Sequence, residues 1–203
     1  MLTMNLFTGP INSWDRLPFL TDVSGVDSFE TVPSHVTENL IFANYGGSQG
    51  FDTDDGSSFY RIHDNVMYAA DGMKMDYGGH DSDFYSNLVV TNPYDGQNCF
   101  DVGSFKPGHG DGYWNNTCII MGCRNPTCVD QVTSVSQCDP DIVTLKNNRY
   151  YTTHGNATIK CGGQMLSVAQ AQAKGMEEGS TAGTIPTDDE IVRMAQAMLA
   201  GWG

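Results

Sequence analysis

Short β-prone runs recur along the chain, each broken by an asparagine. Five segments align: SHVTENLIFANYGG from 34, SFYRIHDNVMYAADG from 58, SDFYSNLVVTNPYDG from 82, GDGYWNNTCIIMGC from 110 and DIVTLKNNRYYTTHG from 141. Each has a β-prone run, an Asn, a second β-prone run and, in most cases, a Gly or polar turn. The anchors are Asn39, Asn65, Asn87, Asn116 and Asn148, spaced by 26, 22, 29 and 32 residues. A coil of about 22 residues holds three short strands, each pairing with its equivalent one coil on, at about 4.8 Å. An Asn at the same turn of each coil stacks on its neighbours and satisfies turn backbone groups. Val, Ile, Leu, Phe and Tyr beside it alternate into the interior. An ordinary sandwich would need five asparagines in register by coincidence. The pattern therefore predicts an all-β solenoid, a right-handed parallel β-helix, over 1–163.

The pattern changes at residue 164. QMLSVAQAQAKGMEEGS predicts a short helix ending near Gly175, and PTDDEIVRMAQAMLAGWG a second. In the second, Thr187 and Glu190 form a capping box. Ile191, Met194, Ala195, Met198 and Leu199 make an apolar stripe at helical spacing, and Gly201 suits a C-terminal stop. Residues 164–203 are thus expected to be a helical cap over the solenoid end, whose strand edges would otherwise invite pairing.

Composition agrees with a turn-rich β protein: only 17% of the 203 residues are charged and 23 are Gly. The formal net charge of −14 repels phosphate backbones and excludes nucleic acid as a natural partner. Six cysteines, none in a Cys-x-x-Cys pair, point to disulfides and an oxidising compartment. Asn115-Asn116-Thr117 and Asn156-Ala157-Thr158 match the N-glycosylation pattern. No run is long and apolar enough to span a membrane, and the N-terminus lacks the basic start and apolar core of a signal peptide. The expectation is the C-terminal portion of a longer secreted or cell-surface protein.

Acidic residues cluster in GFDTDDGSSFYRIHDNVMYAADGMKMDYGGHD, from residue 50. Asp54 lies 11 residues before Asn65 and Asp76 lies 11 before Asn87; Asp52 and Lys74 each lie 13 before the same anchors. If the anchors stack, Asp54 stacks on Asp76 and Asp52 on Lys74. Residues two apart share a strand face, and unpaired charges cannot fill the interior, so the four form an outward patch. Two carboxylates about 5 Å apart match the spacing of retaining glycosidases. Clustered carboxylates also bind Ca²⁺, with Asp52, Asp54 and Asp55 as candidate ligands and Lys74 as the base of a β-elimination. The EF-hand pattern itself is absent. Tyr77 and Asp101 flank the patch as candidate substrate contacts. Lys106, His109 and Asp111 surround a Gly-rich loop that could wall the groove. His35, His63, His80 and His154 read as surface or turn histidines, and most aromatics as packing residues.

The run Asp54-Asp55-Gly56-Ser57-Ser58, with Ile62, Asn65 and then Gly72-Met73-Lys74, resembles the central coils of right-handed parallel β-helix proteins of the pectate-lyase-like superfamily. It is most similar to β-helix glycosidases with a DDGSSxxxIxxN run and GxK one coil on. The tail LSVAQAQAKGMEEGS resembles the segment after the last coil of such proteins. The resemblance implies carbohydrate processing on an outer groove. Asp54 or Asp55 would be the nucleophile, and Asp76 the acid/base where the glycosidases carry a Glu. The similar Ca²⁺-dependent pectate lyases imply instead Asp52, Asp54 and Asp55 as ligands and Lys74 as base. The expected function is hydrolysis of a polysaccharide or oligosaccharide without a cofactor, then Ca²⁺-dependent lysis of a uronic-acid polymer, then a non-catalytic carbohydrate-binding solenoid.

Overall fold

The computed structural model describes residues 33–44, 49–53, 57–76, 78–91, 98–121 and 130–202. The chain winds in coils of three short strands. The first coil holds β1 (Ser34–Thr37), β2 (Leu40–Phe42) and β3 (Phe51–Thr53), and the second β4 (Tyr60–His63), β5 (Val66–Tyr68) and β6 (Met73–Met75). The third holds β7 (Asp83–Tyr85), β8 (Leu88–Val90) and β9 (Phe100–Val102), and the fourth β10 (Asp111–Trp114), β11 (Thr117–Ile119) and β12 (Gln131–Val135). The fifth holds β13 (Val143–Lys146), β14 (Arg149–Thr152) and β15 (Thr158–Cys161). Equivalent strands pair in parallel, so the first, second and third strands of each coil build three sheets along the axis. This is an all-β parallel β-helix. Its interior is filled by the inward row of each sheet: Ile62, Phe84, Tyr113 and Leu145 from the first, Met67, Val89, Cys118 and Tyr150 from the second, and Met73, Phe100 and Ile159 from the third. Phe84 and Tyr113 stack at 5.4 Å between ring centroids, and Phe100 closes on Tyr113 at 4.5 Å.

The asparagine ladder runs through the turn between the first and second sheets. The backbone N–H of Asn39 donates to Asn65 Oδ1 (3.0 Å), that of Asn65 to Asn87 Oδ1 (3.0 Å), that of Asn87 to Asn116 Oδ1 (2.9 Å) and that of Asn116 to Asn148 Oδ1 (3.0 Å). Each buried amide also donates Nδ2 to a carbonyl one coil back: Asn65 to Val36, Asn87 to Ile62, Asn116 to Phe84 and Asn148 to Tyr113. The residue before each rung is left-handed: Glu38, Asp64, Ser86, Asn115 and Asn147 have φ between 53° and 58°. Each such non-Gly residue costs on the order of 1 kcal/mol. The ladder offsets that cost because without it the turn would bury unpaired backbone groups.

A sixth rung, which the sequence pattern does not reveal, is not an asparagine. Gly179 takes the left-handed place (φ 70°), and Ser180 Oγ accepts the N–H of Asn148 at 2.9 Å. Thr181–Thr184 then form β17, which extends the second sheet beside β14. Glu178 bridges Lys146, so Glu177 stands over Leu145 in the inward row. Its buried carboxyl accepts from Tyr150 Oη (2.6 Å), Ser180 Oγ (2.6 Å) and Asn148 Nδ2 (3.3 Å). Burial pushes the Glu177 pKa up, against these three hydrogen bonds.

The tail therefore mixes strand and helix. Where the sequence suggests a helix from 164, Gln164–Ser167 instead form β16, antiparallel to β15. Helix α1 (Val168–Gln172) follows, capped by Ser167 and Gln170. Leu166, Val168, Ala171 and Met176 join the main core and close its end. Helix α2 (Asp188–Leu199) has the expected Thr187–Glu190 capping box. It does not cover the end of the solenoid. Ile191, Met194, Ala195, Met198 and Leu199 pack on Val66, Leu88, Val90 and Ile119, the outward row of the second sheet. That row is apolar, and an apolar outward row needs a cover. Disulfides join Cys99 to Cys118 and Cys138 to Cys161; Cys123 and Cys128 lie outside the described residues. Among the described residues no helix is long and apolar enough to cross a membrane.

Replacing Asn116 by Ala strands the N–H of Asn87 and the carbonyl of Phe84 in the interior. Asn116→Ala should cost about 2–4 kcal/mol, read from urea denaturation, whereas the same change at the part-buried Asn39 should cost less. Glu177 adds a pH dependence. Because its folded pKa is raised, the folded state binds more protons than the unfolded one, and its contribution to stability falls as pH rises above about 4.3. Glu177→Gln should remove that decline, so urea midpoints of variant and parent diverge in the variant's favour as pH rises from 4 to 8.

Candidate functional site

The third sheet presents its outward row to solvent. Asp52, Lys74, Asp101, Ser134 and Lys160 are successive register partners along β3, β6, β9, β12 and β15. The inward neighbours on both sides are core residues such as Met73, Met75, Phe100 and Val102, which rigidly fix the direction of each charged side chain. Lys74 Nζ lies 3.3 Å from Asp52 Oδ1, and Asp101 is its register partner on the other side. Asp101 is half-buried. Burial raises its pKa and the Asp76 charge adds to this, against hydrogen bonds to Ser134 and Asn98 and the charge of Lys160.

Asp76 leans from the second coil across the third. A Cβ placed on Gly103 would lie 2.7 Å from the Asp76 carboxyl, so any side chain at 103 would push that carboxyl aside. Ser104 Oγ then donates to Asp76 Oδ1 at 3.1 Å and itself accepts the Gly78 N–H at 3.2 Å. The expected stacking of Asp52 on Lys74 is present. Asp54, Asp55 and Tyr77 lie outside the described residues, so the expected stacking of Asp54 on Asp76 and the Asp52–Asp54–Asp55 ligand set fall there too. The Asp76 charge is felt by Asp101, which the sequence associates only with substrate contact.

A second cluster sits on the turns between the third and first sheets. His80 Nδ1 and His109 Nδ1 both reach Asp81 Oδ2, at 2.7 and 2.6 Å. The two imidazoles lie 4.1 Å apart, and Phe59 packs edge-on against His80. Burial lowers the His80 pKa, more than the Asp81 hydrogen bond raises it. Burial also pushes Asp81 upward, but the hydrogen bonds from both histidines outweigh it and leave its carboxyl below the usual range. Behind them Asp111, whose Oδ1 accepts the Ser82 N–H at 3.1 Å, is pushed up to about 7 by burial. The sequence reading leaves His80 as a turn residue and His109 as a groove wall. The signal for their pairing was available: each lies seven residues before its ladder asparagine, Asn87 and Asn116.

The outward row of the first sheet is aromatic. His63 stacks on Tyr85 (4.7 Å), Tyr85 on Trp114 (5.2 Å), and Lys146 Nζ sits 5.6 Å from the Trp114 ring. Arg61 Nε pairs with Asp83 Oδ2 at 2.9 Å beside them. The ring faces are spent on one another, which makes this row a packing ladder rather than a sugar platform. Comparison with family models, curated proteins and solved structures finds no match to this chain.

Lys74 anchors the charged row. Lys74→Met should cost about 1 kcal/mol at low ionic strength, with most of the cost gone in about 1 M salt, which screens a part-exposed pair. Thermal melts at low and high salt check it.

Proposed function

We propose that the outer face of the third sheet binds a polysaccharide or oligosaccharide and hydrolyses a glycosidic bond. The observation that carries this reading is the outward row of Asp52, Lys74 and Asp101 with the Asp76 carboxyl leaning over Gly103, two residues on from Asp101; burial, with the Asp76 charge, also raises the pKa of the half-buried Asp101. A general acid needs that shift, and paired carboxyls on one face are the machinery of glycoside hydrolysis. Asp101 protonates the leaving oxygen, and Asp76, held by Ser104, acts as nucleophile or as base toward water. Lys74 and Asp52 fix the row and contact sugar hydroxyls. The repeat and the Asp54–Lys74 run support placing the chain with the pectate-lyase-like β-helix proteins, and the disulfides suit an extracellular setting. Ca²⁺-dependent lysis is the second reading, favoured by the acids around Lys74. It ranks lower because a lysine flanked by carboxylates tends to keep its proton.

The test is incubation with neutral and uronic-acid polysaccharides, with Ca²⁺ and with chelator, scoring reducing ends and unsaturated products. Hydrolysis predicts new reducing ends that survive chelation and fall on the order of 100-fold or more in Asp101→Asn and Asp76→Asn. Asp54→Asn tests the nucleophile implied by the family resemblance. Unsaturated product lost on chelation and in Lys74→Ala would replace the reading with a lyase. Sugar binding without product would replace it with a binding module.

A further inference from the structure

We infer that His80, Asp81 and His109 form a binding site for a divalent transition metal of the Zn²⁺ type. One ligand atom from each of the three residues lies within 4.8 Å of the other two. The set is two imidazole nitrogens and one carboxylate oxygen, the donor chemistry that Zn²⁺, Cu²⁺ and Ni²⁺ prefer and that Ca²⁺ does not. It is assembled across coils. His80 and Asp81 come from the turn before β7, and His109 comes from the equivalent turn before β10, 28 residues after Asp81.

The frame around the three is rigid. The N–H of His80 donates to Ser58 Oγ at 3.1 Å, that of Asp81 to the Gly110 carbonyl at 3.0 Å, and that of His109 to the Lys106 carbonyl at 3.1 Å. The His80 side chain is only 8% exposed, against 30% for Asp81 and 23% for His109, so the open side of the site is the Asp81–His109 side. Lys106 adds one nearby cation, and Asp83 and Asp111 place two further carboxyls close enough to feel Asp81.

Without metal, both Nδ1 atoms crowd one carboxylate oxygen at 2.6–2.7 Å. Tetrahedral metal–ligand bonds of about 2.0–2.1 Å require each nitrogen and the carboxylate oxygen to spread by roughly 0.7 Å. The Nδ1 protons are displaced as metal enters, so binding releases protons or moves them to Nε2. Three protein ligands leave a coordination position for water or a ligand oxygen.

The experiment uses the full chain, stripped with EDTA and titrated calorimetrically with ZnCl₂, alongside electron paramagnetic resonance of the Cu²⁺ form. The expected result is one Zn²⁺ per chain and Cu²⁺ hyperfine structure from two nitrogens. Affinity should fall on the order of 10–100-fold or more in His109→Ala and Asp81→Asn, with circular dichroism confirming that both variants fold. His63→Ala is the control, because His35 Nδ1 and His63 Nε2 lie 3.0 Å apart with Asp64 beside them and are the competing pair. It should leave binding unchanged. No Zn²⁺ uptake by the folded parent, uptake indifferent to His109→Ala and Asp81→Asn, or uptake lost in His63→Ala would each overturn the assignment.

Discussion

Everything in this fold depends on one hydrogen bond repeated between coils, from the backbone N–H of one asparagine to the side-chain oxygen of the next. A chain that turns every few residues buries backbone groups that no strand can pair. The amide meets that demand twice, accepting from one coil and donating back to a carbonyl. It also pins register. Because side chains alternate between core and solvent, a slip of one residue would turn every charged residue of the outer rows inward. Five left-handed residues precede the asparagines, and their strain is tolerable only because the ladder over-determines the turn.

Register in turn assembles the surface chemistry. Asp52, Lys74 and Asp101 are far apart in sequence yet adjacent in space because the ladder holds β3, β6 and β9 in register. The same holds for His80 and His109. The glycines act in the opposite sense, by omission. Gly103 leaves the space into which Asp76 leans, and Gly112 leaves the space covered by the Trp114 ring.

The coil repeat was legible because burial imposes it on side-chain identity: the asparagines and the β-branched and aromatic runs cannot vary freely without breaking the core. Asp52 on Lys74 followed directly by counting from Asn65 and Asn87. Counting failed for Asp101, because the longer excursion before Asn116 hides its register, and that length is set by surface loops under no packing constraint. The sixth rung was missed because Ser180 supplies the same acceptor as asparagine with a different side chain, while Gly179 replaces a left-handed non-glycine residue. Helix α2 was recognisable from its stripe and cap, but its resting place was not. The stripe at Ile191 and Met194 says that a partner is apolar and does not say which apolar surface; Val66, Leu88 and Ile119 look like core residues when read one strand at a time.

The ladder also makes the coils interchangeable. Each rung meets the next through the same bond from backbone N–H to side-chain oxygen, whatever the excursion between them, and the separations from Asn39 to Ser180 run 26, 22, 29, 32 and 32 residues without disturbing the contact. Such a joint accepts a change in the number of units more readily than a change within one. Gain or loss of an entire turn of the solenoid preserves every interface type, so a lineage can lengthen or shorten its outer faces in whole steps while fractional edits are rejected by the core.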